Sequence, residues 1–195
     1  MKNIFKISAL IIFVLIAVVS GAKNDSRVFT DISQVQRLLK AIDVHLGAMN
    51  DIFQRNRVIA LKASNCVYTQ TDLKNMDMEF QELVQELIRI RSSAWYLGMF
   101  LFNDSSSKWH FEIKVKLKNG SVLAFAMPRF TPEDLGLYTW DWKESKKGFH
   151  VMELHNSIRA VGSIDKGIDT VSRERSRIAA FVKRLHIVAR TNAIK

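Results

Sequence analysis

The sequence predicts an α+β domain: N-terminal helices, then a curved antiparallel sheet, then a C-terminal helix. Three observations predict it. Two early stretches carry apolar residues at three- and four-residue steps, the centre switches to strict alternation around an Asn-Gly pair, and a basic amphipathic segment closes the chain. A step near 3.6 lines one face of a helix and a step of two lines one face of a strand. The 195 residues suffice for one domain and are short for two.

The first element is not part of that domain. Residues 1–22 begin with Met1, Lys2 and Lys6, run almost without polarity from Ile7 to Val19, and contain no acid. A positive start, a short apolar run and small residues before a cut site match a secretory signal, and the same stretch, left uncut, reads as a transmembrane helix serving as anchor. The boundaries are therefore 1–22 for the signal or anchor and 23–195 for a single exported domain. Export directs the protein to the periplasm or the exterior, as a secreted or membrane-held factor.

In "TDISQVQRLLKAIDVHLGAMNDIF", Thr30 or Asp31 can cap a helix whose face is Val35, Leu38, Leu39, Ile42, Leu46 and Met49. The helix continues or bends through "DIFQRNRVIALKAS". Cys66, the one cysteine, excludes an intramolecular disulfide and a zinc or thioredoxin-like motif. Its neighbours Val67 and Tyr68 predict a buried reduced thiol. A second helix follows, with Met76, Phe80, Leu83, Leu87 and Ile90 inward and Asp77, Glu79, Glu82 and Glu86 on a hydrated acidic face.

The period then changes. "YLGMFLF" reads as one strand. Phe111, Ile113, Val115 and Leu117 alternate with charged residues, and Asn119-Gly120 supplies the positive φ angles of a two-residue hairpin. That turn would set Leu117 opposite Val122, Val115 opposite Ala124 and Ile113 opposite Ala126. Leu123, Phe125 and Met127 would then fall on the other face, to be covered by a second helix, a partner or an apolar ligand. "GLYTWDW" and "GFHVMEL" extend the antiparallel pattern, joined by the charged connector "KESKK". A last helix over "RERSRIAAFVKRLHIV", capped by Asp169 or Ser172, docks through Ile178, Phe181, Val182 and Leu185.

This order of elements is similar in architecture to PAS or Cache sensor domains and to NTF2-like domains, with no residue motif that names either. Fold order alone carries no function.

The chemistry-bearing residues do not converge on a reaction. His110 shares a strand face with Glu112 among lysines, and His150 and His155 flank Glu153 without metal-ligand spacing. H-E-x-x-H, G-x-S-x-G and P-loop signatures are absent. No catalytic residue, metal or cofactor is assigned. The leading site is an apolar groove of Leu123, Phe125, Met127, Tyr138, Trp140 and Trp142, taking a protein partner or an apolar small ligand.

The formal charge is +10, and removing the leader takes away two lysines and no acid, leaving +8. Arg173, Arg177, Lys183 and Arg184 form a basic surface on the last helix, suited to an acidic partner, an anionic membrane or an envelope polymer. No nucleic-acid motif accompanies it. The sequence thus favours a noncatalytic exported binding domain, in sensing or envelope assembly. Its alternatives are an exported hydrolase or toxin-like enzyme and a basic membrane-disrupting factor.

Overall fold

The computed structural model describes residues 26–102, 112–117, 120–126, 130–131, 133–141 and 145–193. The elements in order are β1 (Ser26–Phe29), α1 (Ile32–Ala63), α2 (Gln70–Ser93), β2 (Trp95–Tyr96), β3 (Met99–Phe100), β4 (Glu112–Lys116), β5 (Val122–Ala126), β6 (Tyr138–Asp141), β7 (Ser145–Gly148) and α3 (Leu154–Ala193). Helices of 32, 24 and 40 residues dominate. The longest reaches about 60 Å at 1.5 Å per residue.

The curved antiparallel sheet, whether PAS/Cache-like or NTF2-like, is therefore corrected. Among the described residues the strands form three small sheets, β1-β4-β5, β2-β3 and β6-β7. The body of the molecule is a helical bundle with these sheets attached.

The bundle axis is the α1–α3 pair. On α1 the buried residues Val35, Leu39, Ile42, Leu46, Met49, Phe53, Asn56, Ala60 and Ala63 recur in steps of four and three. On α3 the same rhythm runs through Ser157, Ala160, Ile164, Gly167 and Val171, and then Ile178, Phe181 and Leu185. A period of 3.5 is the seam of a left-handed coiled coil. The helices run antiparallel, because Asp43 meets Arg175 at 2.8 Å while Arg57 meets Asp165 at 2.6 Å. Gly167 permits the close approach: a Cβ there would stand 2.6 Å from the Phe53 ring and 2.8 Å from the Leu135 carbonyl oxygen.

The helix starts follow capping chemistry. Asp31 accepts from the Ser33 N–H at 2.8 Å. Thr69 and Asp72 form a reciprocal capping box that opens α2. Cys66, expected to be buried, is exposed in the connection between α1 and α2, beside Val67 at 82% exposure.

"YLGMFLF" is a hairpin, not one strand. Tyr96 pairs with Met99, and Leu97 and Gly98 turn the chain with φ of 48° and 72°. Positive φ at both central residues is the geometry of a tight primed hairpin turn.

The predicted β4–β5 register is displaced by one residue. Val115 faces Leu123 and Ile113 faces Phe125. The cause lies in the turn. Gly120 N–H donates to the Leu117 carbonyl and Leu117 N–H to the Ser121 carbonyl, so the loop holds three residues with Gly120 at φ 84°. A three-residue loop with its last residue left-handed is the next common hairpin solution. A slip of one turns every side chain of β5 to the other face. β1, unforeseen in the sequence, adds in parallel to β4.

"GFHVMEL" is not a strand. β7 lies in the charged connector, and Phe149 to Glu153 lead irregularly into α3, which begins fifteen residues before Asp169. No helix among the described residues is long and apolar enough to cross a membrane. Residues 1–22 lie outside the described residues.

Candidate interaction surface

Of the six residues expected to form an apolar groove, Leu123 and Phe125 have described side chains. Leu123 and Phe125 are buried, at 7% and 6% exposure, as the corrected register requires. The Phe125 ring lies 5.0 Å from that of Phe181 on α3, and the Arg177 guanidinium stands 5.4 Å over it. Tyr138 and Trp140 lie on β6, with only their backbone described. Met127 and Trp142 lie outside the described residues, as do His110 and Asn119.

The basic surface divides. Arg177 also pairs with Glu174, and Arg173 contacts Thr170. Lys183 and Arg184 are exposed.

Asp77, expected on the hydrated acidic face, is buried. It accepts the Val151 N–H at 2.7 Å and lies 3.2 Å from His150 Nδ1. Gln81 donates to the Phe149 carbonyl. The start of α3 is thereby held against the middle of α2. His150 serves this tether and His155 is an exposed residue of the first turn of α3, so the cluster with Glu153 does not form. Among the described residues no three His, Cys, Asp or Glu side chains group as metal ligands.

A concave surface on the helix pair was not foreseen. A groove of about 710 Å³ runs along one flank of the α1–α3 pair. Its floor is Leu39, Ile178 and Val182; Lys40, Arg175 and His186 stand among its polar lining. Leu39 and Ile178 are buried, whereas Lys40 and His186 are exposed. The hydrogen bond to Asp43 raises the Arg175 pKa, so the guanidinium stays charged. Sequence spacing hid the groove because its halves, residues 36–50 and 172–186, meet only through antiparallel pairing. The one available signal was the row Gln36, Lys40 and Asp43, which repeats at helical steps beside the apolar face.

On α2 another outward row, Thr71, Asn75, Met78, Glu82, Gln85 and Arg89, repeats in steps of four and three. Met78 is 56% exposed. Glu79 and Glu86 flank the row and pair within the molecule with Arg55 and Arg89. The hydrogen bond to Arg89 holds the Glu86 carboxyl below its usual range. Glu82 forms no ion pair among the described residues.

No model of a known family matches the chain. A flagellar filament 31.3 kDa core protein of Treponema maltophilum is 24% identical over 162 residues, covering 75% of this chain and 53% of that protein. The chain thus spans about half the length of the filament proteins it matches. A flagellin of Bacillus cereus superposes with a TM-score of 0.69 at 20% identity, over 82% of this chain and 86% of the other. A protein assigned as flagellar hook-associated from Vibrio parahaemolyticus gives 0.64 at 13% identity, over 98% and 92%. These similarities are to filament and flagellar proteins, and the reading of the chain as a transmembrane protein gives way to them. In place of a sensor-domain sheet, the chain has a flagellin-like fold of long antiparallel helices.

Proposed function

We propose that the chain is a noncatalytic, exported structural subunit that assembles with copies of itself into a flagellin-type polymer. The observation that carries this reading is the α1–α3 coiled coil, set within a fold that matches a flagellin over most of both chains. Rigid antiparallel helices with exposed flanks suit repeated side-to-side packing, and nothing in that role requires a reacting group. The sequence similarity to filament core proteins points the same way.

The test is assembly. The full chain, expressed with its own leader and purified after export, should sediment as polymer above a critical concentration and show regular filaments by negative-stain microscopy. A folded chain that stays monomeric through the millimolar range overturns the proposal. A second reading, a junction component of limited copy number, is favoured by the near-complete overlap with the hook-associated fold. It predicts small closed oligomers in place of polymer.

A further inference from the structure

We propose that the α1–α3 groove receives the outer face of α2 from a second copy, with Met78 entering the apolar floor and Glu82 facing Lys40. This deepens the self-assembly reading and rests on it.

The two faces are complementary in size. The groove follows α1 from Gln36 to Asn50, about 21 Å at 1.5 Å per residue. The α2 row from Asn75 to Gln85 covers about 15 Å on the same scale. Three turns of helix therefore fit lengthwise. A helix laid in a groove docks through anchors at three- and four-residue steps, and Met78, Glu82 and Gln85 have that spacing. Met is a side chain that adapts to irregular apolar surfaces.

They are also complementary in charge. Near Met78 the exposed charges of α2 are Lys74 and Glu82, while Glu79 and Glu86 are paired with Arg55 and Arg89. At the groove Arg175 and Asp43 pair with each other, which leaves Lys40, among the described residues, as the unpaired charge. Lys183, one turn beyond Ala179 on the same α3 flank, adds a further exposed cation. Among the described residues Lys40, Lys183 and Glu82 have no internal ion-pair partner, so an intermolecular pair does not have to break an existing one. Opposite potentials across an interface fix register and partner choice.

The two faces occupy different parts of the surface. A contact between unlike patches is heterologous: each added copy leaves one groove and one α2 face open, and growth continues as a ring or a filament. A self-complementary patch would stop at a dimer.

The experiment is a charge exchange in the full exported chain, read as the critical concentration for assembly by sedimentation. Glu82→Lys and Lys40→Glu should each raise it by about tenfold, because like charges then face each other. The double variant restores opposite signs and should return to within about threefold of the unmodified chain. Single variants that assemble like the unmodified chain, or a double variant that adds the two losses, overturn the contact. Helicity is measured alongside; should Lys40→Glu not fold, Lys183→Glu makes the same reversal. An unmodified chain that never assembles defeats the proposed function and this contact together. Assembly that ignores all the reversals defeats the contact alone and leaves the groove to another occupant.

Discussion

The Asp77 carboxylate accepts the Val151 backbone N–H at 2.7 Å, across 74 positions of sequence. Both residues are buried, Val151 completely. This bond fixes where the chain leaves its small sheets and enters α3, because Ser157 then returns its hydroxyl to the Val151 carbonyl at 3.0 Å. Two helices that are distant in sequence, α2 and α3, are thus brought into register at one point. Everything built on the α1–α3 pair, the groove included, depends on α3 starting there.

Replacing Asp77 tests that statement. Asp77→Ala leaves a buried N–H without an acceptor, which costs about 1–3 kcal/mol. Gln85→Ala, on the exposed row of the same helix, should change stability by less than about 0.5 kcal/mol. Urea unfolding of both variants makes the comparison. Equal, small losses would show that water satisfies Val151 and that the tether is incidental.

Asn56 presents the opposite case. It occupies a seam position of α1 at 1% exposure, and neither its side-chain oxygen nor its nitrogen has a hydrogen-bond partner. A buried polar group at a coiled-coil seam sets register at a cost in stability. Asn56→Leu should stabilise the fold by about 1–3 kcal/mol, by removing the unpaired amide. The reading is the urea midpoint at unchanged slope. A loss of stability in its place would mean that the site has no room for the branched side chain.

How far the sequence discloses this fold follows from the residues at each seam. α1 is visible because Val35, Leu39, Ile42, Leu46 and Met49 are all large and apolar. The first half of α3 is not, because Ser157, Ala160 and Gly167 hold its seam. Small and polar residues there allow close helix approach but carry no hydrophobic rhythm. The hairpin misleads for another reason. Asn-Gly suits a two-residue turn, and Gly120 equally suits the end of a three-residue one. Local chemistry leaves the choice open; the apolar faces of Leu123 and Phe125 decide it by seeking the core. The basic residues of the candidate surface were evident as types, but Lys40 joins them only through the antiparallel pairing of helices some 130 positions apart.

The corrected register makes a direct prediction. Phe125→Ala removes a buried ring packed on Phe181 and should cost about 3–5 kcal/mol. Val122, 52% exposed, should tolerate alanine within about 0.5 kcal/mol. Denaturation of the two variants decides between registers, since the two-residue turn would place Val122 on the apolar inner face and Phe125 on the other. A costly Val122→Ala beside a mild Phe125→Ala would restore that arrangement.

Acid should weaken the start of α2. Asp72 accepts from the Thr69 hydroxyl at 2.7 Å and from the Thr69 N–H at 3.1 Å, and the hydroxyl bond comes first in holding its pKa below the ordinary value of 3.8. A carboxyl with a lower pKa folded than unfolded contributes stability that is complete above the unfolded value. That contribution is lost as pH falls through the folded value. Asp31, lowered chiefly by its hydrogen bond with the Ser33 side chain, acts in the same direction at the start of α1. Asp72→Asn should therefore be less stable than the unmodified chain at about pH 7, with the gap closing towards about pH 2. Urea midpoints across that range provide the measurement. Parallel curves, with the gap unchanged in acid, would show that the Asp72 bonds survive protonation and that acid sensitivity arises elsewhere. A gap that closes would locate part of the acid response at this capping box, on the helix whose outer row carries Met78 and Glu82.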